Sequence, residues 1–458
     1  MGHAIPSPES LTQALAGFTL DLAPGDLGAA GMQRMQTLFL DWLGCVLAGS
    51  DAPAVAMVRD LCASLGGAPE ADDLPGRART SCLHAALING VASHVVEMDD
   101  LHREAIIHCA APTLPAILAA AQRTHASGRE MLTAMAAAYE VFIRIALGAG
   151  PSHYRYWHTT ATCGVFGAAA GAGRLLGLDR ERLAWALGSA GTVAAGLWEF
   201  LADSAMSKLL HPGKAAHDGL LAALLAQRGF TGATRILEGG KGFFAAMSAD
   251  ARPDKVLEGL GKTFHWERAS LKQHASCGHT HAAIDALLAA TGGRPLDPAA
   301  VLRVEARVCS AALDLLGQVA PTTPYLAKFS LPFCLATALV AGRAALEDFT
   351  AQRLADPGLA RLMERIVLVS DPALSAAYPR AWGARVQVLT ADGEALHGAV
   401  DHPKGDPENP LSQDEVIRKF MGLAGRRLPA PAARELASRC LELENCPDMA
   451  GFFAGRLG

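Results

Sequence analysis

Between residue 31 and about residue 295, apolar residues recur at steps of three and four, and strict alternation is rare. Met35, Leu38, Phe39, Trp42, Leu43 and Val46 set the pattern, with Gly49 just beyond as a stop. Similar segments follow at Leu114–Ala121, Met131–Gly148, Thr160–Leu178, Ala184–Leu201 and Ala215–Gly229. Such a chain can bury its apolar stripes only by packing helix on helix, and its abundant Ala and Gly suit closely approaching helices. The texture changes near residue 300. Leu302, Val304, Ala306 and Val308 alternate with Arg303, Glu305 and Arg307, the signature of a half-buried strand. Ile366–Ser370 reads as a short strand, and Arg385–Thr390 and Ala395–Val400 as a hairpin turning at Asp392-Gly393. A helix is expected from about Phe329 to Leu346. Helical patterns return from Gln413, with Pro429 and Pro431 between two helices. The expected fold is mainly α: a large all-helical domain (1–267 and 401–458) interrupted by a smaller α+β domain (268–400).

Charge and composition narrow the function. Apolar residues make up 51% and charged residues 19%, which argues against disorder, and 458 residues suffice for a sizeable core. Forty basic against 45 acidic residues, with no basic run, argue against nucleic acid as a partner. Met1 to Ala30 contains Pro6, Pro8, Glu9, Asp21 and Asp26 and no cationic leader, so no signal peptide is expected. No apolar stretch reads as reaching the roughly 18–20 residues of a membrane span. Ten scattered cysteines without C-x-x-C spacing read as reduced thiols. Together these place the chain in the cytoplasm.

The densest polar cluster is Val91–Pro112, with His94, Glu97, Asp99, Asp100, His102, Arg103, Glu104 and His108. Titratable groups at that density shift one another's pKa values and can supply an acid, a base and an anion clamp; a solvated helix end with charged pairs is the plainer alternative. Cys277-Gly278-His279-Thr280-His281 carries zinc-compatible ligands, but C-x-H-x-H is not a standard closed-site spacing, and no H-E-x-x-H occurs. No metal is expected. Gly148–Gly150, Gly171–Gly173 and Gly239–Gly242 lack the frames of dinucleotide or phosphate loops, and no G-x-S-x-G elbow exists.

Seven blocks in order resemble the MmgE/PrpD family: LFLDWLGCVLAGS (38–50), NGVASHVVEMDDLH with IIHCAAPTLPA (89–116), YEVFIRIALG (139–148), WHTTATCGVFGAAAGAGRLLGL (157–178), KLLHPGKAAHDGLLAALLAQRGFTGATRILEGGKGF (208–243), LKQHASCGHTHAAIDALL (271–288) and KFSLPFCLATALV (328–340). The resemblance implies a cofactor-independent homodimer whose smaller domain closes as a lid, with the site in the cleft between domains. It also implies proton-transfer chemistry on a small di- or tricarboxylate. Dehydration of a 2-methylcitrate-like hydroxy acid is expected first, with epimerisation, decarboxylation or a catalytically silent carboxylate-binding protein as alternatives. Carried onto this sequence, it gives His108 and His158 as acid/base candidates, with Lys208 and Lys272 as catalytic lysines. Asp99, Asp100, His102, His211, Cys277, His279 and His281 follow as substrate contacts, and Arg103, from outside the family pattern, is expected beside them. An isolated histidine beside an apolar helix is more often a hydrogen-bonded core residue, so each assignment competes with that reading. Four positions depart from the family pattern: Leu101 for a threonine in D-D-T-H, Cys109-Ala110 for P-S after His108, Cys277 for a histidine of the decarboxylase branch, and Phe333 for a tyrosine. Arg103 reads as an addition able to grip a carboxylate with both arms.

Overall fold

The computed structural model describes residues 10–203, 205–318 and 320–457. Residues 1–9, on which part of the leader argument rests, lie outside them. The protein is mainly α-helical, with a two-stranded and a four-stranded sheet among the described residues. It divides into two compact units, one of 1–95, 105–268 and 415–458, the other of 96–104 and 269–414.

In the first unit, the helix Thr159–Leu175 is buried over nearly its whole length. It packs on the helices Ala110–Thr124, Gly128–Ala149 and Ser207–Gln227. Backbone proximity there depends on small residues. A Cβ on Gly164 would sit 2.6 Å from Pro112 Cγ, and one on Gly167 would sit 2.8 Å from the Ala138 carbonyl oxygen. The Ala/Gly-rich faces are thus consumed inside the unit. The helix Gly128–Ala149 corrects the expectation that no segment is long and apolar enough to cross a membrane, but 94% of its apolar window is buried within the protein. Inside it, Glu140 and Arg144 form a fully buried ion pair at 2.7 Å. Arg144 also donates to the carbonyls of Val256, Glu258 and Thr263, tying the segment before residue 268 to the helix.

Other boundaries moved for local reasons. The segment expected as a helix over Ala184–Leu201 is helical over Arg180–Thr192, and a loop containing Gly196 at φ +144° follows. A short hairpin, β1 (Ala71–Asp73) with β2 (Ala78–Thr80), interrupts the helical region. Pro431 lies in the first turn of the helix Ala430–Leu441, where its missing N–H costs nothing, rather than between helices.

The second unit holds the sheet, in the order β4-β3-β5-β6. β3 (Val301–Val308) runs parallel to β4 (Ile366–Ser370) and antiparallel to β5 (Ala384–Thr390), and β5 pairs with β6 (Ala395–Val400) across the Asp392-Gly393 turn. The helix Gly278–Thr291 packs on β5 and β6. The helix expected over Phe329–Leu346 spans Leu331–Ala341 and ends at Gly342, whose φ of +67° caps it. The unit continues past residue 400 to Asp414 and takes in 96–104. Leu101 and Ser270 exchange backbone hydrogen bonds, and Arg103 is anchored on Asp406, so the middle of the polar cluster belongs with this unit rather than with the helical one.

Candidate active site

The first unit gathers four imidazoles and a lysine. His94 ends the helix Cys82–His94, His158 caps the helix Thr159–Leu175, and Lys208 and His211 lie three residues apart on one face near the start of Ser207–Gln227. Glycines set this meeting. A Cβ on Gly90 would stand 2.6 Å from the Cα of Gly213, so the helices carrying His94 and His211 cross at backbone contact. Gly196 lends its carbonyl to the His158 N–H at 2.9 Å, and a Cβ there would meet Ala161 at 2.6 Å and His211 Nδ1 at 3.4 Å.

The decisive distance is 3.0 Å between His158 Nδ1 and His211 Nδ1. The His94 ring lies 4.9 Å from that of His108 and 6.0 Å from that of His158, and Trp198 packs edge-on to His158 at 5.0 Å. The His108 backbone N–H donates to Thr160 Oγ1 at 3.1 Å. His94, His158 and Lys208 are almost fully buried, and His211 nearly so. Burial, and then the neighbouring His211, Lys208, His94 and His108, hold His158 well below the usual histidine range. Burial, then His94, Lys208 and Lys214, bring His211 down to about 4. Both rings are therefore neutral at pH 7. A neutral imidazole carries one N–H, so two that share an Nδ1–Nδ1 hydrogen bond must be opposite tautomers. The donor ring has a bare Nε2, a base, while the acceptor ring has an Nε2–H, an acid. By contrast, His153 is a plain core histidine, spending both nitrogens on Thr162 Oγ1 and the Met247 carbonyl.

The second unit builds a different cluster. Lys272, 1% exposed, donates to the Glu97 carbonyl at 3.1 Å and to Glu97 Oε2 at 3.3 Å. Burial alone would lower its pKa, but Glu97 and Asp99 outweigh that and raise it, so Lys272 is a fixed cation. Tyr325 donates its hydroxyl to Glu97 Oε1 at 3.1 Å, and Lys328 donates to the Val96 carbonyl at 2.7 Å. Glu97 itself adopts φ +57°, an uncommon conformation that marks a position held by its surroundings. Glu97, Tyr325 and Lys328 were not among the expected site residues. Positive φ leaves no mark in sequence, Lys328 only opens the apolar block 328–340, and Tyr325 lies in the short stretch before it.

Asp99, Asp100 and His102 are buried in the same segment. Arg103, expected as a substrate contact, has partners within the protein. Its two terminal nitrogens meet Asp406 at 2.9 Å, Glu408 at 2.6 Å and His402 Nδ1 at 3.0 Å, so both arms are engaged by groups of the protein. His402, Asp406 and Glu408 are spaced to hold a metal ion, and Arg103 already places a cation among them. Cys277 Sγ lies 3.8 Å from His279 Nδ1, whereas His281 Nε2 faces the Ser276 carbonyl at 3.3 Å. That divergence does not suit a shared ion.

Residues 13–255 match the MmgE/PrpD N-terminal domain and residues 274–443 the MmgE/PrpD C-terminal domain. The chain belongs to the MmgE/PrpD family. Within it, the chain is 28% identical to a cis-aconitate decarboxylase-like protein of Aspergillus oryzae, over 98% of both chains. It is 26% identical to a cis-aconitate decarboxylase of Aspergillus terreus, over 96% of this chain and 94% of that one. To the Mus musculus cis-aconitate decarboxylase it is 25% identical, over 96% and 92%. Membership accounts for the ordered blocks, and it leaves the reaction of this MmgE/PrpD protein to be argued from its own side chains.

Proposed function

We propose that this MmgE/PrpD protein is a lyase acting on a small polycarboxylate by imidazole proton transfer. The observation that carries the reading is the 3.0 Å Nδ1–Nδ1 contact between the buried His158 and His211 rings. Elimination of water from a hydroxy-polycarboxylate needs a base for the proton beside a carboxylate and an acid for the leaving hydroxyl. Opposed Nε2 atoms meet both needs. As one Nε2 takes a proton and the other gives one, the Nδ1 proton can cross the 3.0 Å bond, and both rings stay neutral. No buried imidazolium has to form, which burial in this pocket disfavours. Lys208, buried beside the pair, would hold a substrate carboxylate and the charge that grows next to it. His108 is the further acid/base candidate. Dehydration of a 2-methylcitrate-like acid is the reaction proposed.

A second reading, decarboxylation, is favoured by the names of the relatives, two cis-aconitate decarboxylases and a cis-aconitate decarboxylase-like protein. Loss of CO2 requires only that one carbon be protonated, so it would leave half of the imidazole pair without a task. NMR of 2-methylcitrate, citrate and cis-aconitate incubated with the enzyme in deuterium oxide separates the outcomes. Alkene formation without CO2 supports dehydration, CO2 loss moves the assignment to decarboxylation, and deuterium exchange with inversion alone points to epimerisation. A protein that binds these acids and turns over none of them between about pH 5 and 9 would overturn the lyase reading.

A further inference from the structure

Of the ten cysteines, only Cys277 and Cys446 are partly exposed; the others are buried. Cys277 directly precedes the 14-residue helix Gly278–Thr291, in the N-cap position, and its own backbone N–H is bound by the Lys328 carbonyl at 3.0 Å. Its Sγ stands 3.8 Å from His279 Nδ1, and His279 Nε2 is 3.2 Å from the Tyr378 hydroxyl. The imidazole is fixed in place by stacking on Trp382, with ring centroids 4.0 Å apart and planes at 25°. A thiol beside a base, with the base oriented by a third group, is the arrangement of an activated nucleophile. The positive end of the helix and the Lys272 cation both favour the thiolate. Cys446 has no such base: its thiol donates to the Asp448 carbonyl.

We propose that Cys277 is a nucleophilic modification site for soft carbon electrophiles, specifically alkenes conjugated to a carbonyl. The thiol proton passes to His279 Nδ1, while Nε2–H donates to the Tyr378 oxygen. The thiolate sulfur forms a bond to the β-carbon, the π pair moves to the α-carbon, and that carbon takes the proton back from His279. Nothing is oxidised or reduced, and the product is a thioether. An unsaturated carboxylate of the kind the proposed elimination would release belongs to this chemical class, but the assignment does not depend on that elimination.

The test is limiting N-ethylmaleimide on the folded protein, with each cysteine peptide followed by mass spectrometry over time. Cys277 is expected to label at least about ten-fold faster than Cys446, a modest fraction of the 10²–10⁴ a positioned base usually contributes. His279→Ala is expected to remove that advantage and leave the Cys446 rate unchanged, and His279→Asn, which keeps a polar planar group against Trp382, to do the same. The Cys446 rate in each variant reports whether the fold survived. Equal labelling of Cys277 and Cys446 in the wild type, or a Cys277 rate untouched by the variant that remains folded, would overturn the proposal.

Discussion

Replacing His211 with glutamine is expected to flatten the acid limb of the stability curve. In the folded protein His211 titrates at about 4 against an ordinary 6.5, a difference of about 2.5 units. The unfolded chain therefore binds a proton that the folded chain refuses throughout that interval. The contribution is fully present above about 6.5 and is lost as the pH falls toward 4. At about 1.4 kcal/mol per unit, His211 alone removes about 3 kcal/mol of stability across the window, and His158, shifted the same way, removes more. Urea unfolding at pH 7.5, 6.5, 5.5 and 4.5 measures it. The wild type is expected to lose midpoint steeply below pH 6.5, while His211→Gln loses about 3 kcal/mol less over the same span. A companion measurement reads the tautomers: imidazole ¹⁵N spectra at pH 7 are expected to show one of the two rings protonated at Nδ1 and the other at Nε2. Parallel stability curves, or two rings in the same tautomer, would refute the neutral, opposed pair.

Four further outcomes are expected. His158→Ala and His108→Ala each lower kcat by about 10²–10⁴ in a folded protein, and unchanged kcat in both would remove the acid/base assignment. Lys208→Ala reduces kcat/KM more for tricarboxylates than for monocarboxylates, and equal losses would argue against a carboxylate-holding lysine. Arg103→Ala lowers stability in urea by about 3–5 kcal/mol, because it strands the buried Asp406 carboxylate; a fully stable variant with a raised KM would instead return Arg103 to substrate binding. Light scattering is expected to show twice the 47.7 kDa of one chain, and a mass near 47.7 kDa would dismiss the homodimer.

What the sequence disclosed and what it concealed divide along range of interaction. The helices follow the period of their apolar residues, and the β5–β6 hairpin follows from alternation broken at Asp392-Gly393, because both signals are local. The hairpin of β1 and β2 was invisible. Its strands, Ala71-Asp-Asp and Ala78-Arg-Thr, carry no alternation, and its backbone is satisfied by side chains from elsewhere: Gln122 accepts from the Asp72 N–H and Asn89 from the Leu74 N–H. The partners of Arg103 were hidden for the same reason. An arginine in an acidic stretch resembles a ligand clamp until its partners, some 300 residues later, come into view. The histidines of the first unit could be singled out one by one from motif blocks, but the proposed chemistry rests on a contact between two of them, 53 residues apart. That relation is set by glycines that local reading treats as spacers: Gly90 against Gly213 brings two helices together, and Gly196 leaves room for the His211 ring beside Ala161. The consequence can be measured. Gly196→Ala puts a methyl group at 2.6 Å from the Ala161 Cβ and strains a φ of +144°, so the loop must move and the Gly196 carbonyl must release His158. Its activity is then expected to fall along with that of His211→Gln, although residue 196 has no side chain to offer a substrate. Wild-type turnover in Gly196→Ala would show that the register of the two rings does not depend on this loop.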